Sequence, residues 1–167
     1  MEATSEDEGA LSWELFHVDG RVLLSGRKMV KLRYGESIKQ KTISLAKLLE
    51  RHGRDRTVLR FALEIDGTRV SEDSVFLAPP RFVELPRART RAVVKMLTPR
   101  RAALTFTSSA FQHRFAFDLP EVEHRGSDNY FELFPRESKT IEVELTRPQT
   151  LARLQRVLAY RSLVDTY

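Results

Sequence analysis

The side chains of this sequence that could do chemistry are carboxylates, histidines, hydroxyls and aromatic rings. With no cysteine present, thiolate nucleophiles, thiolate metal sites and disulfides are excluded. General acid–base work needs two carboxyl groups held together in a suitable setting. Glu121 and Glu123 share strand parity, and Glu132 and Glu137 lie in the Gly126–Glu137 segment, yet none stands in a recognisable catalytic context. The histidines His17, His52, His113 and His124 are dispersed, with no His-x-His pair and no HExxH run, so no metal is expected. Ser108-Ser109 lacks a Gly-x-Ser-x-Gly elbow and reads as a turn. No phosphate loop or dinucleotide fingerprint occurs, so no cofactor is expected, and Asn129-Tyr130-Phe131 is not an N-glycosylation acceptor. Trp13, the single tryptophan, and Tyr130 carry aromatic rings, and Asp128 carries a carboxylate, any of which can meet a ligand. Each also has a structural reading. Trp13 shares strand phase with Leu11 and Leu15, which points to the core, and Asp128 with Asn129 suits a corner between strands.

The elements that must position these residues read almost throughout as β-strands. Leu59, Phe61, Leu63 and Ile65 alternate with Arg60, Ala62, Glu64 and Asp66, the period of a strand with one buried face. The same alternation runs through Leu11-Trp13-Leu15, Val30-Leu32-Tyr34, Phe111-His113-Phe115-Phe117 and Ile141-Val143-Leu145. Asp19-Gly20 and Asp66-Gly67 supply the positive-φ residues of tight hairpins. Two short stretches read as helical: Leu45 to Leu49, ending near Gly53, and Thr150 to Gln155, with Thr150 as the cap. Many short strands at this spacing predict an all-β sandwich or barrel architecture.

Ala78-Pro79-Pro80 marks a boundary, because two consecutive prolines donate no ladder hydrogen bonds and cannot continue a central strand. Phe82, Val83 and Leu85, closed by Pro86, then read as a first edge strand of a second module or as an apolar hinge. The expected organisation is an acidic, disordered start over residues 1–9, a first sandwich over 10–80 and a second over 81–167. A chain of 167 residues allows two such modules near the lower limit for independent folding, and 41% hydrophobic residues suffice for their cores.

The net charge of +5 is unevenly distributed. The opening MEATSEDEG holds four acidic residues and no basic ones, which leaves 28 basic against 19 acidic side chains, or +9, in the rest. A basic body can attract polyanions. The 21 arginines and 7 lysines are, however, spread along the whole length, and the densest groups are only Arg51/Arg54/Arg56 and Arg87/Arg89/Arg91, so nucleic acid is not an expected partner. No apolar run approaches the ~20 residues of a membrane helix, and the start is acidic where a signal peptide is basic. A soluble chain is therefore expected, in the cytoplasm or another compartment without strong oxidation.

Residues Gly126 to Glu137, GSDNYFELFPRE, carry the most specific pattern. Asp128-Asn129-Tyr130-Phe131 followed by Pro135 and Glu137 resembles the last β-sandwich of the β-mannosidases of glycoside hydrolase family 2. Leu104-Thr105-Phe106, Phe111 and the closing Ser162-Leu163-Val164-Asp165-Thr166-Tyr167 extend the likeness. Trp13-Glu14-Leu15 leading to Asp19-Gly20, then Asp66-Gly67 through Val70-Ser71, Phe76 and Ala78-Pro79-Pro80, resemble the preceding domain of the same enzymes. The likeness runs over roughly residues 11 to 167. It departs at Arg136, where the family usually has glycine between proline and glutamate, and this implies a different or a strained local turn.

What the resemblance implies is an all-β chain of two consecutive immunoglobulin-like antiparallel β-sandwiches, accessory to a catalytic barrel that lies N-terminal to them in such enzymes. The parent reaction is retaining hydrolysis of terminal, non-reducing β-D-mannose residues. Its two carboxylates belong to the barrel, and nothing here matches them, so the chain should be inactive alone. The implied partner is that barrel, and an apolar surface it would cover could instead form a homodimer contact. Two other readings stay open: an independent carbohydrate-binding module that uses Trp13, Asp128 or Tyr130, and the accessory domains of a related exo-glucosaminidase.

Overall fold

The computed structural model describes residues 6–33 and 35–166, with only the backbone of Glu6 and Asp7. The expectations that reach Met1–Ser5, Tyr34 and Tyr167 lie outside the described residues. The chain divides into two compact units between Glu84 and Leu85.

In the first unit, β1 (Glu6–His17), β2 (Val22–Arg33), β3 (Thr57–Ile65) and β4 (Thr68–Phe76) form one antiparallel sheet in the order β2-β1-β3-β4. A seven-residue helix, α1 (Ala46–His52), closes at Gly53, whose amide donates to the Leu49 carbonyl. The acidic start is not wholly unstructured. The backbone of Glu6–Gly9 pairs in register with Val30–Arg33, so the last four residues of the expected disordered start belong to β1. Asp66 and Gly67 both have positive φ, 50° and 73°, so the β3–β4 turn is of the primed kind that matches strand twist.

Pairing across the sheet sorts its two faces. Trp13, Leu15, Val30 and Leu59 are buried, and Trp13 is in register with Gly26 on one side and Phe61 on the other. Lys28 Nζ donates to the Gln40 carbonyl at 2.9 Å and Lys41 Nζ stands 5.1 Å from the Trp13 ring centre, which brings residues 40–41 over this face. The opposite face is also covered in part, with Ala10, Phe16, Val58 and Ala62 buried on it. There Arg60, 6% exposed, donates to Glu72 Oε2 at 2.7 Å, and Arg69 reaches the same oxygen at 2.6 Å.

The Asp19 turn between β1 and β2 carries a pH dependence. Burial pushes the Asp19 carboxyl up, but hydrogen bonds from the Arg21 amide (3.0 Å) and guanidinium (2.9 Å), together with the charges of His17 and Arg21, outweigh it and leave its pKa below 3.8. A depressed carboxyl contributes stability that is present above its unfolded pKa and lost as pH falls through the folded one. The side chain is 44% exposed, so the contribution is small. Asp19→Asn should therefore flatten the fall in melting temperature below about pH 4, measured by thermal scans across that range.

Residues 79–84 differ from the expected edge strand. Pro80–Phe82 form a single 3-10 turn, Val83 is buried, and Glu84 returns to the first unit through its amide to the Asp55 carbonyl and its carboxylate to Arg56 Nε at 2.6 Å. The prolines end the strand as their missing donors require, but the unit closes four residues later.

The second unit has two sheets. Strands β5 (Thr90–Thr98), β6 (Arg101–Ser108), β10 (Ser138–Leu145) and β8 (His124–Gly126) form one, in the order β5-β6-β10-β8. Strands β11 (Ala159–Arg161), β7 (Gln112–Asp118) and β9 (Phe131–Leu133) form the other, in the order β11-β7-β9. Alternation supplies the core. Ala102, Leu104 and Phe106 from β6 and Ile141, Val143 and Leu145 from β10 meet Phe115, Phe117, Phe131 and Leu133 from the facing sheet. Phe106 sits at its centre, with the rings of Phe115, Phe117, Phe131 and Tyr160 at 5.0, 5.8, 6.1 and 6.0 Å. Helix α2 (Leu151–Val157) is capped as expected, Thr150 Oγ1 accepting from the Arg153 amide, and buries Leu154 in this core.

Ser108-Ser109 is structural. The Ser108 hydroxyl donates to the Ala110 carbonyl and accepts from the buried side-chain Nε2 of Gln112, while Ser109 Oγ accepts from the Arg89 backbone amide. Among the described residues no helix is long and apolar enough to cross a membrane.

Candidate functional site

The Gly126–Glu137 segment is a corner that joins the two sheets of the second unit. It leaves β8 at Gly126 and enters β9 at Phe131. Ser127 ties its start to β10: its amide donates to the Glu142 carbonyl at 2.8 Å and its hydroxyl accepts from the Glu142 amide at 3.1 Å. Asp128 Oδ1 accepts from the Asn129 amide at 2.8 Å, and its carboxylate pairs with Lys139 at 3.0 Å. Both oxygens of Asp128 are thus engaged within the corner.

Asn129 does the work of a strand residue with its side chain. Its Oδ1 accepts from the Phe117 amide at 3.1 Å and its Nδ2 donates to the Phe117 carbonyl at 3.0 Å, a two-point match to the backbone of β7. Only a carboxamide offers a donor and an acceptor in this arrangement. The same Oδ1 lies 3.0 Å from the Tyr130 amide. Tyr130 is thereby held in left-handed backbone, φ 60°, with 67% of its surface exposed.

From Phe131 the strand alternates inward and outward. Phe131 and Leu133 enter the core, Phe134 stacks on Phe111 at 5.4 Å, and Glu132 faces His113 Nδ1 at 2.9 Å. Phe134-Pro135-Arg136-Glu137 is a turn closed by the Glu137 amide on the Phe134 carbonyl at 3.3 Å. Proline second and positive φ third make it a type II turn. Arg136 fills the third position with φ 70°, so the departure seen in the sequence is the strained alternative rather than a different turn. A left-handed backbone costs a residue with a β-carbon about 1–2 kcal/mol, and glycine returns part of that gain through its freer unfolded chain. Arg136→Gly should raise stability by about 0.5–1 kcal/mol, read as an increase in the denaturation midpoint.

The sequence-derived candidates thus separate. Trp13 lies in the first unit, 9% exposed, its ring against Gly26 and beneath Lys41, and is a core residue rather than a sugar platform. Asp128 and Tyr130 lie side by side in the corner, the first bound into it and the second projecting from it. Two of the four carboxylates considered for catalysis pair with basic groups: Glu132 with His113 at 2.9 Å and Glu121 with Arg153 at 2.8 Å. Among the described residues no group of three or more histidines or carboxylates is gathered to hold a metal.

On the strand that the corner meets, Phe115 pairs with Phe131, and Ala116 pairs with Arg161 of β11, a residue the sequence did not bring forward. Asp118, two residues along β7, has a side chain that is 67% exposed. A three-residue strand such as β11 has no periodicity to read, which is why Arg161 was not legible.

Family comparisons match these two units in order. Residues 2–81 match the Mannosidase Ig/CBM-like domain and residues 85–166 match the Ig-fold domain of the mannosidases. A search of curated proteins finds no match. Among solved structures, β-D-mannosidase from Dictyoglomus thermophilum aligns over 96% of this chain and 19% of its own, with a TM-score of 0.68 at 16% identity. Exo-chitosanase CsxA from Amycolatopsis orientalis aligns over 95% of this chain and 23% of its own, with a TM-score of 0.52 at 12% identity. At such identities the likeness concerns the fold, and the chain spans about a fifth of the length of those enzymes. The match of one domain model after the other, over nearly all of the sequence, places this all-β chain in the mannosidase immunoglobulin-like domain families, as a Mannosidase Ig/CBM-like domain followed by an Ig-fold domain.

Proposed function

We propose that this chain is the non-catalytic accessory part of a family 2 glycoside hydrolase of the β-mannosidase type, whose two domains pack against and brace a catalytic barrel. The observation that carries this reading is the tandem order of the two domain matches, together with the small share of each solved enzyme that the chain spans. The parent reaction is hydrolysis of terminal β-D-mannose residues. The exo-chitosanase likeness supports glucosaminidase kinship as the second reading. Accessory domains do not set the sugar.

Exposed apolar side chains, among them Met29 at 64% and Phe82 at 57%, supply surface for the barrel or for a second copy of the chain. Removal of residues 85–167 from the native polypeptide tests the bracing role. The expected result is loss of heat stability of its glycosidase activity on aryl β-D-mannosides or β-D-glucosaminides. Activity that survives heating unchanged after this deletion would contradict it.

A further inference from the structure

Residues 37–44 run from β2 to α1 across the Trp13 face of the first unit without joining the sheet. Among the described residues, their one hydrogen bond is that of Lys28 Nζ to the Gln40 carbonyl, at 2.9 Å. Their other peptide groups are left to water, as surface segments outside helices and sheets leave them. Little apolar burial takes the place of those bonds: Ile38 is 51% exposed and Ile43 only half-buried. Both ends, by contrast, are fixed. The Glu36 amide donates to the Arg33 carbonyl where β2 closes, and the Leu45 carbonyl accepts from the Leu49 amide where α1 opens.

The middle is held by two lysines. Lys41 Nζ stands 5.1 Å from the centre of the Trp13 ring, a cation–π contact. Lys28 pairs with Leu11, two residues from Trp13 on β1, and so projects from β2 on the same face. Both lysines are exposed, which keeps each contact weak. An exposed cation–π pair shifts an equilibrium about two- to fivefold, and one solvated hydrogen bond on the order of two- to tenfold. The sheet beneath is bonded differently, by backbone ladders from β2 through β1 and β3 to β4. Segments with such unequal bonding open at different free energies, the weaker first. We propose that residues 37–44 are a strap which the two lysines close over Trp13 and which lifts while the sheet stays folded, uncovering an aromatic and aliphatic patch on the first unit. That patch comprises Trp13, Phe61, Leu11 and Leu63, which share a face by register, and the last three are already only partly buried.

The chain has a single tryptophan, so quenching of tryptophan fluorescence by acrylamide reads this position alone in the 167-residue chain. Lys41→Thr should raise the bimolecular quenching constant of Trp13 about two- to fivefold. Lys28→Thr/Lys41→Thr should raise it further, well below the melting temperature and with the far-UV circular dichroism of the parent. Threonine is too short to reach either contact and suits an extended backbone. An unchanged quenching constant in the double variant would overturn the strap by showing that the lysines do not hold it. Quenching that rises only together with loss of the far-UV signal would overturn it as well, because strap and sheet would then open as one unit.

Discussion

Gly26→Ala should unfold the first unit at temperatures where the parent chain is folded. Trp13 and Gly26 are paired residues on neighbouring strands, and the indole lies across the glycine because nothing projects there. A Cβ placed at Gly26 would lie within 3.0 Å of three ring atoms, among them Cε2 at 2.5 Å and Nε1 at 2.9 Å. The ring cannot swing clear, being buried in the sheet with Phe61 paired on its other side. Overpacking of a rigid group costs about 3 kcal/mol, and a unit of this size holds only roughly 4–12 kcal/mol in all. The loss should appear in chemical denaturation as an early transition of the first unit. Trp13→Leu in the same chain should recover part of it, because the two substitutions share one volume and cannot add independently.

The second large effect falls at Asn129. Asn129→Ala leaves the amide and the carbonyl of the buried Phe117 without the two bonds it now makes, which should cost about 2–4 kcal/mol. Asn129→Asp is the sharper test. It keeps the acceptor for the Phe117 amide but turns a donor into a carboxylate oxygen facing the Phe117 carbonyl at about the present 3.0 Å. Near neutral pH the variant should be at least as unstable as the alanine one. Its folded state favours the protonated acid, so its pKa should be raised, and stability should return as pH falls toward the unfolded value near 4. Thermal scans of both variants from neutral to acid pH measure this. A pH-independent Asp variant would mean that the Nδ2 bond contributes nothing.

Much of the architecture was legible because burial writes itself into period two. Ile141-Val143-Leu145 became the buried side of β10, whereas the Leu59–Ile65 run became the central β3 without a single buried face, since Arg60 and Ala62 are buried and Phe61, Leu63 and Ile65 only partly so. Local chemistry was equally readable: positive φ at Asp66-Gly67, the Thr150 cap and the Gly53 stop all act through neighbours in sequence. Long-range consequences were not. That Gly26 makes room for Trp13 depends on the β1–β2 register, and that Arg60 is buried against Glu72 depends on β4, most of whose residues are exposed. The Phe82–Leu85 segment looked strand-like by composition, but the residues up to Glu84 had hydrogen-bond partners in the first unit.

At the corner the sequence named the right residues without their division of labour. Asp128, Asn129 and Arg136 can each be read as turn formers, and the structure gives them separate tasks: an ion pair, a backbone clamp and a strained type II turn. Tyr130 had no such signature. A tyrosine between Asn129 and Phe131 could face either way, and its exposure follows from a left-handed backbone that only the Asn129 clamp makes intelligible.

The central claim, that these two domains brace a catalytic partner and do no chemistry themselves, is tested most directly by purifying the native protein with an antibody to this chain. The eluate and the recombinant chain are then assayed side by side on aryl β-D-mannosides and β-D-glucosaminides. Glycosidase activity is expected in the eluate, carried by a polypeptide several times larger than 19.3 kDa, and none in the recombinant chain. A native species of only 19.3 kDa without associated activity, or a recombinant chain that hydrolyses either substrate, would contradict it.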